Sequence, residues 1–129
     1  MEKFIENHEP DIWRYYSRVV NYYELVPFMD IEKRINRAYY KALELVHSAY
    51  ISPKRILCLC EAPGGFAEYF LERFPQSEIK VQSKLETNIQ FSRKIPKECI
   101  LYEKQGFGDI LHQETFNHIQ EQGKFDFIT

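Results

Sequence analysis

Six residues, Glu61-Ala62-Pro63-Gly64-Gly65-Phe66, constrain this chain more than any others. They follow an apolar run, Ile56-Leu57-Cys58-Leu59-Cys60, and lead into Ala67-Glu68-Tyr69-Phe70-Leu71-Glu72-Arg73-Phe74. The first run has the length and composition of a buried strand, and the second reads as a helix. Pro63 has no amide to give a sheet ladder, so the strand must end before it. Paired glycines let a backbone approach a neighbour that any Cβ would hold off, and the expected neighbour is a ligand. Strand, tight turn and helix together form the first unit of a nucleotide-type binding fold.

The rest of the chain extends that unit. A helix is expected from Asp30, whose carboxylate suits an N-cap. Its apolar stripe would be Ile31, Ile35, Ala38, Ala42, Leu45, Val46 and Ala49. An earlier aromatic helix is expected over 10–24, with Pro27 separating it from the helix that follows. After Ser52-Pro53, strands are expected at 55–60, 78–84, 99–103 and 124–129. Helices are expected at 65–74 and 109–122, the latter ending at Gly123, a good residue just past a helix end. Residues 85–98 read as a loop or a poorly formed helix. Alternating strands and helices predict an α/β fold with a mostly parallel sheet. The domain reading is a helical extension over 1–30 and the binding fold over 31–129.

Composition limits what such a fold can do. With 129 residues, the chain encodes one modest domain. A net charge of −2 means that any nucleic-acid contact must use a local patch. No apolar run approaches a membrane span, and the N-terminus lacks the features of a secretory signal. Cys58, Cys60 and Cys99 read as free thiols in a reducing, intracellular and cytoplasmic setting, with Cys58 and Cys60 on one strand face. His8, His47, His112 and His118 do not complete a zinc site with them.

The phosphate-binding fingerprints G-x-G-x-x-G and G-x-x-x-x-G-K-[ST] are both absent. The turn therefore suits a ligand without a phosphate chain, held at the carboxyl ends of the strands. Arg34, Arg37 and Lys41 are spaced three and four apart and form one basic stripe. That stripe reads either as a solvated face or as a ridge for phosphates. Asp109 reads as a helix cap or as a ligand-facing carboxylate. Where a strand-end acid usually meets a ribose, the sequence has Ser83-Lys84-Leu85, with Glu86 as a weaker substitute.

Leu59-Cys60-Glu61-Ala62-Pro63-Gly64-Gly65-Phe66, with Tyr69, resembles motif I of the FtsJ-like RNA ribose 2′-O-methyltransferases. Asn36-Arg37-Ala38-Tyr39-Tyr40-Lys41-Ala42-Leu43-Glu44-Leu45 is similar to the helix that precedes motif I in that family. Gly108-Asp109-Ile110-Leu111 and Phe125-Asp126-Phe127-Ile128-Thr129 resemble two further blocks. The resemblance implies a Rossmann-like methyltransferase fold with an incomplete sheet. It implies S-adenosylmethionine as cofactor, held by Glu61, Ala62, Pro63, Gly64, Gly65, Phe66 and Asp109. It implies RNA as partner, either capped messenger RNA or structural RNA, and Lys41 as the first member of a catalytic Lys-Asp-Lys-Glu set. The other three members are expected beyond Thr129, so the chain reads as the N-terminal portion of a longer enzyme. The alternative is a non-catalytic subunit that binds S-adenosylmethionine or RNA.

Overall fold

Arg55-Ile-Leu-Cys58 is the centre of the sheet, because its apolar side chains have cover on both faces. In the computed structural model, which describes residues 33–47, 49–104 and 107–129, this strand is β1 (Arg55–Cys58). Ile56, Leu57 and Cys58 are all buried, as expected of a parallel strand packed on two sides. β2 (Glu78–Val81) pairs with one edge of β1 and β3 (Phe127–Ile128) with the other, both parallel. The order is β2-β1-β3. The chain therefore leaves β1 towards one side and returns on the other. The crevice between β1 and β3, at their carboxyl ends, is the topological switch point where such sheets bind ligands.

Three helices accompany the sheet: α1 (Ala38–His47), α2 (Gly65–Arg73) and α3 (Gln113–Glu121). The fold is the expected α/β one, with elements shorter than their sequence patterns. The expected helix over 10–24 and the Asp30 cap lie outside the described residues. In α1 the buried face is Tyr39, Ala42 and Val46. Leu45, expected in that stripe, is 69% exposed. Tyr39, three residues before Ala42, takes the inward position, and Leu45 falls one residue off the buried line.

The strand expected at 99–103 is reduced to a single parallel bridge between Val81 and Ile100. Leu101 N–H donates to Val81 O at 3.0 Å, which extends the order outward by one contact. Cys99 itself lies in a 3₁₀ turn, Lys97–Cys99, that follows Pro96. The turn uses up residues that would otherwise extend the strand. Residues 85–95 form a loop, with one antiparallel bridge between Glu86 and Ile89.

Arg55 joins three elements at the amino end of the sheet. Its Nε donates to Glu78 Oε2 at 2.7 Å, and its Nη2 and Nη1 donate to the carbonyls of Gln122 and Lys124, each at 2.6 Å. The Gln122 bond satisfies a carbonyl at the C-cap of α3, and the Lys124 bond holds the segment that follows it. Gly123 follows at φ 86, the left-handed conformation expected past a helix terminus. Asp126 Oδ2 accepts from the amides of Lys54 and Arg55, at 2.8 and 3.0 Å, and fixes the start of β1 beside β3.

The core is aromatic where α2 meets the sheet. Phe70 is fully buried, with Phe66, Tyr69, Phe74 and Phe127 rings 5.6–6.2 Å away. Phe70→Ala is expected to cost about 3–5 kcal/mol, the scale of a buried aromatic removed. Leu45→Ala is expected to stay within about 0.5 kcal/mol, as for an exposed position. Denaturant unfolding of the two variants checks both, and a large loss at Leu45 would restore it to the packed stripe.

Candidate functional site

The site begins where β1 stops. Cys60 lies in the left-handed region at φ 53, so the strand reverses there. Cys58 and Cys60, expected on one face, are thereby separated: Cys58 is buried and Cys60 exposed. Burial pushes the Cys58 thiol up to about 12, which keeps it protonated. Burial raises Cys99 as well. The Ala62–Pro63 peptide is cis, and Gly64 follows at φ 116.

The two glycines face protein on their Cβ sides. A Cβ on Gly64 would lie 2.6 Å from Ile95 Cγ1. One on Gly65 would lie 2.0 Å from Asn36 Oδ1 and 2.9 Å from Ala38 Cβ. The close approach that demands glycine is thus made by Ile95 on one side and by the start of α1 on the other. Ser92 N–H donates to Pro63 O at 2.9 Å and holds the 92–95 segment against the turn.

Glu61 occupies the amino end of α2. It is buried, and its Oε1 accepts from Ala67 N–H at 3.0 Å. A second backbone bond comes from Phe66. In dinucleotide folds that helix end cradles a phosphate. Here a carboxylate of the chain itself fills it, which agrees with the missing phosphate fingerprints. Burial dominates the titration and raises Glu61 to about 7, against the two backbone bonds that pull it down.

Asp109 lies near the carboxyl end of β2, next to Gly108, whose carbonyl accepts from Gln82. Its Oδ1 accepts from Leu111 N–H at 3.0 Å and its backbone oxygen from His112 N–H at 3.0 Å. It therefore closes a turn just ahead of α3 and does not cap the helix itself, whose N-cap is His112. The Leu111 amide, and then Lys84, hold the Asp109 carboxyl below its ordinary value. Lys84 Nζ stands 3.4 Å from Asp109 Oδ2 and 3.5 Å from Glu86 Oε1. The strand end that usually carries an acid thus carries a cation between two acids.

Lys41 is exposed on α1. Arg34 is not available for the expected basic ridge. Its guanidinium bonds Glu72 at 2.5 Å and stacks 3.8 Å above the Tyr39 ring. Arg37 and Lys41 are both exposed. Sequence reading missed Gln82, a fully buried amide just past β2. No local signal marks it, because Gln82, Ser83 and Lys84 form one polar run and only distant partners show which of them is buried. A cavity of about 260 Å³ opens beside the turn, with Leu85, Phe91, Arg93, Ile95 and Lys97 in its lining. Among the described residues there is no group of His, Cys, Asp and Glu able to hold a metal, and no helix long and apolar enough to cross a membrane.

A parallel sheet with a tight turn at the end of its central strand, and a helix end closed by a carboxylate, define an α/β domain of Rossmann-like type. The model of the FtsJ-like methyltransferase family matches residues 34–129, which span every element described above. The chain belongs to the FtsJ-like methyltransferase family. No curated protein and no solved structure matches it.

The buried carboxylate makes stability depend on pH with a definite sign. Glu61 binds its proton more tightly folded, near 7, than at its ordinary 4.5. Its contribution is therefore fully favourable below 4.5 and is lost as pH rises towards 7. The loss amounts to roughly 3 kcal/mol. Glu61→Gln is expected to flatten this fall. The difference between the unfolding free energies of variant and parent, followed across pH 4–8, isolates it from the other carboxylates. A difference that does not change with pH would show that Glu61 titrates normally.

Proposed function

We propose that this methyltransferase uses S-adenosylmethionine to methylate ribose 2′-hydroxyls of RNA, with Lys41 as a catalytic residue. The observation that carries the reading is the family match over 34–129, which contains both the turn at 61–66 and the helix bearing Lys41. The domain boundary near residue 30 belongs to the same proposal, with residues 1–30 as an extension.

The residues present fit that cofactor. The Phe66 and Ala67 amides at the start of α2 are taken by Glu61, which disfavours a phosphate there. S-Adenosylmethionine has no phosphate and bears positive charge at its sulfonium and amino groups. Glu61, Ala62, Pro63, Gly64, Gly65 and Phe66 would hold it on one side. Asp109, ionised and only partly exposed, would accept from its base on the other. When bound, the cofactor supplies an electrophilic methyl group.

The chain's own task is to orient the acceptor and manage its proton. A ribose hydroxyl is a poor nucleophile, and a lysine near the developing oxyanion favours its formation. The first turns of α1 pack on Gly65 through Asn36 and Ala38, which links the Lys41 helix to the cofactor turn. Arg37, with Arg93 and Lys97 beside the cavity, offers local positive charge on a chain whose net charge is −2. Phe91 in the same lining offers a face for a base to stack on. These features support RNA as the partner; capped messenger RNA is the leading substrate and structural RNA the other.

Lys41→Ala is expected to cut methyl transfer by roughly 10²–10⁴-fold while leaving cofactor affinity intact. Lys41→Arg is expected to fail as well, because a planar, permanently charged guanidinium does not replace a compact ammonium. Turnover of the protein as its gene encodes it, at saturating RNA and cofactor, checks this alongside RNA affinity across salt. Turnover restored at saturation, with a shallower salt dependence of binding, would make Lys41 a phosphate contact only.

A further inference from the structure

Gln82 lies just past β2 and is fully buried. Its Oε1 accepts from Cys60 N–H at 3.1 Å, and its Nε2 donates to the carbonyl of Gly108. Its backbone is engaged as well: N–H donates to Cys58 O at 2.9 Å, and C=O accepts from Glu61 N–H at 3.0 Å. The orientation of the amide is dictated by its partners. An N–H requires the oxygen and a carbonyl requires the nitrogen.

Both partners sit at left-handed backbone positions. Cys60 has φ 53 and Gly108 has φ 86. Gly108 comes so close to the β2 end that a Cβ there would lie 2.5 Å from Ser83 O. The Cys60 conformation, costly for a residue with a Cβ, persists only where its surroundings over-determine it. One side chain therefore clamps the loop after β1 to the loop that carries Asp109.

We propose that Gln82 is a positioning residue for the methyl-donor site, setting the span between the 61–66 turn and Asp109. The inference rests on the S-adenosylmethionine reading. The two loops would hold different parts of one elongated ligand, so its affinity depends on their spacing. Gln82 touches neither ligand nor reacting atoms; it acts through the Cys60 amide and the Gly108 carbonyl.

The test uses Gln82→Glu, which preserves shape. One carboxylate oxygen still accepts from Cys60 N–H, but the other now faces the Gly108 carbonyl, acceptor against acceptor. Protonation turns that oxygen into a donor and restores the clamp. Calorimetry with S-adenosylmethionine at pH 8 is expected to show affinity lowered on the order of tenfold in the folded variant, the scale of one lost hydrogen bond. The gap to the parent protein is expected to narrow at about pH 6, because burial raises a carboxyl's pKa. Gln82→Met, of similar length and without polar atoms, is expected to lose affinity at both pH values.

The outcomes separate the two levels of inference. A parent protein that does not bind S-adenosylmethionine overturns the proposed function. Binding by the parent, with unchanged affinity in folded Gln82→Glu, overturns the role of Gln82. So does an affinity loss that lower pH does not repair, since general loosening would produce it. If neither variant folds, hydrogen exchange on the parent decides. Saturating S-adenosylmethionine is expected to slow exchange of the Cys60 amide, and an unchanged rate overturns the clamp.

Discussion

The site depends first on the reversal of the chain at Cys60. A parallel strand that ran on to residue 60 would bury a second cysteine beside Cys58 and carry Glu61 out along the sheet. Instead the left-handed conformation at Cys60 turns Glu61 back beneath α2. That conformation is costly for a residue with a Cβ. It is held by two bonds across to the β2 end, Cys60 N–H to Gln82 Oε1 and Glu61 N–H to Gln82 O. The 61–66 turn is therefore as well placed as the neighbouring strand end, and the residue just past β2 holds it through its backbone and one amide.

Two features of the turn have their reasons inside the protein. Gly64 and Gly65 make room for Ile95 and for the Asn36–Ala38 start of α1. Glu61 satisfies amides at the end of α2 that would otherwise be free to bind an anion. The first feature draws α1 and the 92–95 segment in around the turn. The second occupies helix-end amides that could otherwise meet a phosphate and puts a carboxyl group there. A bulky residue at either glycine would thus act by displacing protein, before any effect on a ligand.

The fold was largely legible because its signals are local. Apolar runs, Pro63 and Gly123 mark β1, α2 and the end of α3 with little dependence on tertiary context. The losses come where tertiary context decides. Leu45 matches a helical stripe as well as Val46 does, but Tyr39 sets which face turns inward. Residues 99–103 have strand composition, but a 3₁₀ turn and a position outside β2 leave a single bridge. At the site, the turn and Asp109 stand out as motifs. Gln82 does not, since its role follows from the distant Cys60 amide and Gly108 carbonyl. Arg34 has the spacing of a phosphate ridge, and only the position of Glu72 on a neighbouring helix shows it to be engaged.

The placement of Lys41 follows from how α1 is fastened. Exposed ion pairs contribute little by themselves, so the Arg34–Glu72 pair is weak ground for fixing a helix. Glu68 is different, because its side chain is 8% exposed and is bonded on two sides. Its Oε2 accepts from Ile35 N–H at 2.7 Å, and its Oε1 pairs with Lys94 Nζ at 2.9 Å. Tyr39 adds a bond from its hydroxyl to Glu72 Oε2 at 2.6 Å, while its ring packs edge-on to Tyr69. Glu68, Tyr69 and Glu72 all belong to α2, the helix whose first residue is Gly65 of the 61–66 turn. One short helix thus sets the height of Lys41 and the shape of the turn together. A change in α2 packing moves both, which is why the acceptor side and the donor side of the proposed reaction share a single structural support.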